Sequence, residues 1–209
     1  MTRKDLREAR RIQLLKATIS SICYNGFAKT TLSGVAKAAK LPPSLLRFYF
    51  RSKKELLVET LRHMALVYEA SWRETVQRAT TPMGRLLAMI EADFNPMISD
   101  REGAIVWYGF WRESMWRPEF FHVCEKLSKA YFEQAWAAMR QLAEEGGYDD
   151  IDPVATAHAF NAMINGLWME IMVNPNGCDV DLARRACRDF LARAFPKESS
   201  AATALSTAA

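Results

Sequence analysis

The 209-residue sequence predicts an all-α fold. Apolar residues recur every three or four positions along almost the whole chain, and the sequence lacks the sustained alternation that is typical of half-buried strands. Helix-breaking pairs such as Asn25-Gly26, Pro42-Pro43 and Asp152-Pro153 divide this pattern into segments of helical length. We therefore expect about nine helices.

The first four helices follow closely on one another. An apolar face that includes Ile12, Leu15 and Ile19 marks the first helix, and Asn25-Gly26 ends it because both residues tolerate a left-handed C-terminal cap. Threonines cap the second helix, prolines begin the third, and Ser52 caps the fourth. The predicted helices span residues 4–24, 32–39, 44–50, 53–78, 83–98, 101–115, 118–145, 153–173 and 180–195.

Charge is distributed unevenly along the chain. Residues 1–55 carry 13 basic and 3 acidic side chains, a net charge of +10, whereas residues 56–209 carry a net charge of −6. A basic segment ahead of an acidic body is typical of a polyanion-binding head, and nucleic acid is the leading polyanion. A membrane surface is a weaker candidate because turns interrupt the basic segment, and a solvated basic face is the alternative.

Several protein classes are disfavoured by what the sequence lacks. The apolar runs are shorter than the roughly 18 residues that span a bilayer, so we expect no membrane partner. The four cysteines show no Cys-x-x-Cys pair and no zinc-type spacing, which favours free thiols in a reducing cytoplasm and no metal. The three histidines lie far apart and no catalytic motif is present, so we expect neither an enzyme nor a cofactor.

A basic first helix followed by two short helices is the plan of a helix-turn-helix, whose second short helix enters the major groove. Three features carry a family resemblance here: Gly26, the segment Thr30-Thr31-Leu32-Ser33-Gly34-Val35-Ala36-Lys37-Ala38-Ala39, and the segment Phe48-Tyr49-Phe50-Arg51-Ser52-Lys53-Lys54-Glu55-Leu56-Leu57. They resemble the N-terminal domain of TetR-type repressors. The resemblance implies a DNA-binding domain.

The chemistry of these residues also suits DNA. Thr31 at a helix start, the phenol of Tyr49 and the ammonium of Lys53 are suited to phosphates, which fix position but not sequence. Arg47 is the candidate able to hold guanine O6 and N7 together, and a phosphate contact is an equal alternative. The predicted DNA-binding residues are Thr30, Thr31, Lys40, Pro43, Ser44, Leu45, Arg47, Phe48, Tyr49 and Lys53.

Two positions depart from the family pattern. Lys40 stands where the family usually has a turn glycine, and a left-handed lysine costs about 1 kcal/mol. Pro42 stands where the family usually has a capping serine or threonine. We expect altered detail in the turn and retained DNA binding.

Aromatic residues are concentrated in the second part of the chain. Trp107 and Trp111 lie four positions apart, hence on one helix face. Core packing accounts for such a stripe, and the sharper alternative is a cage for a quaternary ammonium ion, completed by a carboxylate. The predicted ligand-binding residues are Asp93, Trp107, Tyr108, Phe110, Trp111, Glu113 and Trp168.

A second resemblance rests on Trp107-Tyr108-Gly109-Phe110-Trp111, on Pro118 and on Asn165-Gly166-Leu167-Trp168. These resemble the C-terminal domain of BetI-type repressors, a choline-responsive TetR branch that controls the oxidation of choline to glycine betaine. Together the two resemblances cover about residues 8–195. Sister branches share the C-terminal motifs, so a different aromatic or apolar ligand and another operon remain the alternative.

The last two helices are predicted to form a dimer interface, because their small and apolar residues allow close helix packing. The alternative is that these faces cover their own domain. Two heads about 34 Å apart would then read a palindromic operator. The predicted interface residues are Ala155, Ala159, Met163, Gly166, Leu182, Ala186 and Phe190.

These observations predict a DNA-binding domain over residues 1–55, a ligand-binding and dimerisation domain over 56–196, and a disordered tail over 197–209. The predicted function is a homodimeric repressor that binds double-stranded operator DNA and is released or weakened by a small molecule, with choline as the leading candidate. The ligand is expected to shift the helix over 101–115 against the helix over 53–78. A helical module that binds a small molecule or a protein, but not DNA, is the alternative from another class.

Overall fold

The computed structural model describes residues 2–95, 101–174 and 176–198, and every regular element among them is a helix, which confirms the all-α prediction. The predicted tail lies largely outside these residues. The helix predicted over 83–98 ends at Asp93, so its predicted end at residue 98 is wrong. The helices are α1 (Arg3–Lys29), α2 (Leu32–Ala38), α3 (Pro43–Tyr49), α4 (Lys53–Arg78), α5 (Pro82–Asp93), α6 (Arg101–Ser114), α7 (Pro118–Gly146), α8 (Pro153–Val173) and α9 (Val180–Ala194).

Side-chain caps begin several of these helices as the sequence indicates. Thr31 Oγ1 accepts the backbone N–H of Gly34 at 3.1 Å before α2, and Ser52 Oγ accepts that of Glu55 at 3.1 Å before α4. Each hydroxyl satisfies a donor that the first helical turn leaves open. Pro42 precedes α3 without a side-chain cap, as its side chain requires.

The first helix extends beyond its predicted end. Gly26 has a positive φ of 74°, which breaks the helical conformation at the predicted glycine, but the chain then resumes one further turn to Lys29. The prediction that the helix ends near residue 24 is therefore wrong by about one turn. The final turn closes where the backbone N–H of Thr30 donates to the Gly26 carbonyl at 3.2 Å.

Lys40, in the turn between α2 and α3, adopts the left-handed conformation that a turn glycine would have, with a φ of 54°. It is the one residue other than glycine with a positive φ among those that the structure describes. A Cβ atom in this conformation crowds the following carbonyl oxygen and costs about 1 kcal/mol. The turn thus keeps the geometry of a glycine turn and adds an exposed positive charge.

The chain divides into two compact units, Met1–Val67 with Asp100–Glu125, and Tyr68–Ser99 with Lys126–Ala209. The boundary falls inside α4. These units describe packing, and the predicted functional boundary near residue 55 stays a prediction.

Two apolar clusters hold the first unit together. One packs α1, α2, α3 and the start of α4, and contains Leu14, Leu15, Val35, Ala36, Leu46, Phe50 and Leu56. The other joins α1 and α4 to α6 and α7 through Ile22, Leu57, Leu61, Val106, Phe110 and Phe120. α6 approaches α1 so closely that a Cβ atom added at Gly109 would lie 2.7 Å from the ring of Phe27. The helix carrying most of the predicted ligand residues therefore packs directly on the first helix of the predicted DNA-binding domain.

The second unit has a single large core formed by the end of α4 with α5, α7, α8 and α9. Its largest fully buried side chains are aromatic: Trp72, Phe94, Phe160 and Phe195. Within the described residues, no helix combines the length and the apolar character that crossing a bilayer requires.

Candidate DNA-binding surface and effector site

A depression of about 290 Å³ marks the surface of the helix-turn-helix. Four of its lining residues, Thr31, Pro43, Arg47 and Lys53, are among the DNA-binding residues predicted from the sequence. The fold thus brings together a helix start, a guanidinium and an ammonium from three different helical segments. Its lining residues are Thr31, Leu32, Ser33, Pro43, Arg47 and Lys53.

Most of the predicted DNA-binding side chains lie at the surface. Thr31, Lys40, Pro43, Ser44, Arg47 and Phe48 are exposed, and Leu45, Tyr49 and Lys53 are half-buried.

Thr30 requires a correction. Its side chain is fully buried, and its Oγ1 donates to the Gly26 carbonyl at 2.9 Å. Because this hydroxyl closes the end of α1, it is not available to DNA. Thr30 is a structural residue, and of these two threonines Thr31 is the one whose hydroxyl lies at this surface.

Lys53 has a positioning role as well as a charge. Its Nζ donates to the carbonyl oxygens of Phe27 at 2.5 Å and Ala28 at 3.0 Å. These are carbonyls of the last turn of α1, where a cation is favourable. An ammonium has three donors, so one remains for a phosphate.

Phe48 and Tyr49 form an aromatic edge at the end of α3. The ring of Phe48 is 66% exposed, and the guanidinium carbon of Arg7 lies 5.3 Å from its centroid, a cation–π contact. The rings of Phe48 and Tyr49 meet edge to face at 5.3 Å. The sequence did not predict the contact between Arg7 and Phe48, because the two residues lie on different helices and no local spacing indicates the pair.

The predicted ligand-binding residues do not lie in one unit. Trp107, Tyr108, Phe110, Trp111 and Glu113 belong to α6 in the first unit, whereas Asp93 and Trp168 belong to the second. The two groups have different surroundings.

The α6 aromatics are adjacent, as their spacing predicts. The ring centroid of Trp111 lies 6.3 Å from that of Trp107 and 5.4 Å from that of Tyr108. Burial raises the pKa of Tyr108 to about 12, so its phenol stays protonated at neutral pH.

Phe110 and Glu113 have partners within the first unit. The ring of Phe110 is fully buried and meets those of Phe27 at 4.8 Å and Phe120 at 5.3 Å, so we assign it to the core. The carboxylate of Glu113 pairs with Arg112 at 2.9 Å and Arg117 at 3.1 Å. Two guanidinium groups already neutralise it, which makes Glu113 a weak candidate for holding a cation.

Asp93 is the buried acid of the second unit, with 2% of its surface exposed. The phenol of Tyr68 donates to its Oδ1 and the phenol of Tyr131 to its Oδ2. Burial raises the pKa of Asp93 to about 7, while the two phenol hydrogen bonds act in the opposite direction. The sequence analysis named this carboxylate but missed both tyrosines.

Trp72 adds a third ring to this group. Its indole meets the ring of Tyr131 edge to face at 5.8 Å, and the rings of Tyr68 and Tyr131 stack at 6.2 Å. The indole Nε1 is buried without a hydrogen-bond partner among the described residues. The spacing of Tyr68 and Trp72, four positions apart on α4, is the sequence signal that could have indicated the pair.

Trp168 is half-buried on α8, and its ring stacks on that of Phe94 at 5.6 Å. Phe94 follows Asp93 directly in the chain, at the end of α5.

The predicted dimer residues of α8 lie on a face that the single chain leaves partly uncovered. Ala155, Ala159 and Gly166 are exposed, and no atom lies within 4 Å of where a Cβ at Gly166 would stand. Val173, farther along α8, is 69% exposed. On α9 Leu182 is exposed; Met163, Ala186 and Phe190 are half-buried.

Comparison with known proteins identifies the family. Residues 82–196 match the C-terminal domain of BetI-type transcriptional repressors, and residues 14–60 match the tetR family of bacterial regulatory proteins. The regulator BetI of Burkholderia cenocepacia is 30% identical over 197 residues, covering 91% of this chain and 96% of that protein. The regulator BetI of Paraburkholderia phymatum is 29% identical over 194 residues, covering 91% and 95%.

Solved structures show the same fold. A transcriptional regulator from Pseudomonas aeruginosa superposes with a TM-score of 0.78 at 24% identity, covering 88% of this chain and 89% of that one. A regulator from Saccharomonospora viridis, solved in complex with choline, has a TM-score of 0.78 at 22% identity, covering 88% and 95%. With the match over residues 82–196, these findings establish that the chain belongs to the BetI-type transcriptional repressors of the TetR family.

Proposed function

We propose that the chain acts as a homodimeric repressor whose helix-turn-helix binds a double-stranded DNA operator and whose affinity for it is weakened by a small organic cation of the choline class. The depression lined by Thr31, Arg47 and Lys53, in a segment with a net charge of +10, carries the DNA-binding part. Phosphate oxygens and guanine edges are the chemical groups that such a surface recognises.

On this proposal α3 enters the major groove. Pro43, Ser44 and Arg47 are exposed along it and face the bases, while Thr31 and Lys40 contact phosphates on either side. This role brings the protein to chromosomal DNA in the cytoplasm.

The choline class is favoured by two comparisons and one chemical feature. The two curated relatives named above are BetI regulators, and the Saccharomonospora viridis regulator of the same fold was solved with choline. The chain itself contains a buried carboxylate beside aromatic rings, a combination that attracts organic cations. A different aromatic or apolar ligand is the alternative.

The uncovered face of α8, with Leu182 and Ala186 on α9, is proposed to pair with a second copy. Exposed alanine side chains and Gly166 allow two α8 helices to approach closely. Such a dimer presents two recognition helices to successive major grooves.

Two helices, α4 and α6, could transmit an effect of ligand binding to the DNA-binding helices. α4 runs from Lys53 at the DNA-binding surface to Tyr68 and Trp72. α6 packs on α1 through Phe110 and Phe27. The sequence analysis named the shift of α6 against α4, and we now include α1 as a direct partner of α6. A cation that favours one arrangement of these helices changes operator affinity by a typical coupling of about 1–3 kcal/mol.

Salt and base-pair dependence test the DNA-binding part. We expect the logarithm of the binding constant to fall with the logarithm of salt concentration, by about 0.9 per neutralised phosphate. Arg47→Ala is expected to relax preference at one base pair by about 1–3 kcal/mol. Lys40→Ala is expected to weaken binding to all sequences alike and to reduce the salt slope by about 1. Fluorescence anisotropy with DNA from upstream of the protein's own gene measures both effects.

Arg78→Ala is the matched control, because Arg78 is an exposed arginine on α4 that pairs with Glu74 at 2.5 Å. We expect it to leave the affinity and the salt slope unchanged. Binding that does not respond to salt would contradict the proposal and favour a helical module that binds a small molecule or a protein.

A further inference from the structure

We propose that Asp93, with Tyr68, Trp72 and Tyr131, forms the site that binds the organic cation, and that the cation enters in exchange for a proton. This inference rests on the proposed function, since it names the site and the regulation of that effector. The proton leaves the Asp93 carboxyl group, so the charge of the site is the same before and after the exchange.

The two acidic residues near the end of α5, Glu91 and Asp93, differ in whether they form ion pairs. Glu91, on the same helix, pairs with Arg188 at 2.7 Å and Arg184 at 3.5 Å. Among the residues that the structure describes, no lysine or arginine forms an ion pair with Asp93, although its side chain is the more buried. A buried carboxylate without a cation is strongly disfavoured in its ionised form. A cation from outside the chain would supply the missing charge.

The surroundings of Asp93 favour an organic cation over an inorganic one. Three aromatic rings lie here: the ring of Tyr131 meets that of Trp72 at 5.8 Å and that of Tyr68 at 6.2 Å between centroids. Ring faces attract ammonium groups that carry methyl groups, because such groups are weakly hydrated and large enough to cover a ring. Metal ions instead require several oxygen ligands, and Asp93 is the single carboxylate in this group.

The indole of Trp72 provides an independent indication of a ligand. Its Nε1 is buried and lacks an acceptor among the described residues. Buried polar groups almost always have a hydrogen-bond partner, so this N–H is available to an acceptor atom of a ligand. A cation that also carries a hydroxyl oxygen, as choline does, would supply one.

The exchange with a proton follows from the charge of Asp93 in the free protein. Burial raises its pKa to about 7, so the carboxyl group of the free protein still binds a proton near neutral pH. A cation beside the carboxylate favours the ionised form and lowers this pKa. Cation affinity is therefore highest above pH 7 and falls as the pH decreases below it.

Three other titratable groups act on Asp93 from the helices packed around it. They are Tyr68 from α4, Tyr131 from α7 and Cys187 from α9. Burial, with the charge of Asp93, raises the pKa of Cys187 to about 12 and that of Tyr131 well above its usual range. The charged group beside the rings is Arg73, which lies 5.0 Å over Trp72 and pairs with Glu69 at 2.8 Å. Asp93 is thus the group that titrates near neutrality.

Calorimetric titration of the DNA-free chain with choline chloride tests the inference. For the unmodified chain we expect affinity to rise about tenfold per pH unit below pH 7 and to level off above it, with about one proton released at pH 6. Two buffers with different ionisation heats count the protons. Asp93→Asn is expected to weaken binding at least tenfold at pH 8 and to remove the pH dependence. Glu91→Gln, on the same helix, is expected to retain both.

A neutral ligand and a second variant distinguish the loss of the Asp93 charge from a general loss of binding or folding. The neutral carbon analogue of choline, 3,3-dimethylbutanol, should bind the unmodified chain and Asp93→Asn equally weakly, since it has no charge for Asp93 to neutralise. Thermal unfolding establishes that each variant is folded. If Asp93→Asn does not fold, Tyr131→Phe replaces it, with an expected shift of the pH midpoint to higher pH because the carboxylate loses a donor.

Two outcomes would overturn the inference, and they differ in what they leave standing. If Asp93→Asn binds choline normally while Trp111→Ala loses binding, the cation lies at the α6 aromatics and the proposed function stands. If the unmodified chain does not bind choline at all, both the site and the choline-class effector are wrong, whereas operator binding is measured separately.

Discussion

Phe110→Ala will lower the free energy of unfolding by about 3–5 kcal/mol, the usual cost of removing a fully buried aromatic ring. The ring of Phe110 is inaccessible to solvent and lies between those of Phe27 and Phe120. These three rings come from α6, α1 and α7, so the vacancy would weaken the packing between three helices. The neighbouring Gly109 leaves little room for rearrangement, because α1 and α6 already approach closely there.

Urea unfolding measures this loss as a lower midpoint with an unchanged slope. Phe121→Ala is the matched control: Phe121 is the next residue after Phe120, but it is exposed, and its removal should cost less than about 1 kcal/mol. Unchanged stability together with lost choline binding would contradict our assignment. It would return Phe110 to the ligand-binding role that the sequence predicts.

Asp93 will make the ligand-free protein less stable as the pH rises, by up to about 4 kcal/mol between pH 4 and pH 8. Its pKa is about 7 in the folded chain and about 3.8 in the unfolded chain. Because the folded value is the higher one, the contribution of Asp93 is fully present below pH 3.8 and is lost as the pH rises to 7. Asp93→Asn should remove this loss and leave the variant the more stable protein at pH 8.

Urea unfolding at several pH values compares the two proteins. Glu91→Gln should follow the pH profile of the unmodified chain, since Glu91 is an ion-paired surface acid. Choline added at pH 8 should restore stability to the unmodified chain and not to Asp93→Asn, because only the carboxylate offers a charge for the cation to neutralise. Parallel pH profiles for the unmodified chain and Asp93→Asn would show that Asp93 does not titrate in the folded protein.

Helix periodicity and helix-breaking residues were sufficient to predict most of the helices. α8 begins and ends where the sequence predicts, because Asp152-Pro153 and Asn174 punctuate an apolar segment on both sides. The end of α1 was misplaced for a tertiary reason. The turn after Gly26 is held by the ring of Phe27 against Phe110 and by Lys53 on its carbonyl oxygens, and these partners are distant in sequence.

In the candidate sites too, the sequence could not indicate which residues are brought together by contacts that are distant along the chain. From the local sequence, Thr30 and Thr31 are equally suited to cap α2. Only the packing of the folded chain determines that Thr30 is buried while Thr31 is exposed. Asp93 could be singled out as an acid in an apolar helix. Its tyrosine partners could not, since Tyr68 and Tyr131 come from helices 25 and 38 residues away along the chain.

The most direct test of the central claim is operator binding with and without choline at fixed salt and at pH 8. Labelled DNA from upstream of the protein's own gene is titrated with the full chain, and fluorescence anisotropy reports the bound fraction. We expect tight binding that choline weakens about 5–150-fold, the range of a typical allosteric coupling. Equal affinity with and without choline would contradict the effector, and failure to bind this DNA or any sequence selected from the genome would contradict the repressor itself.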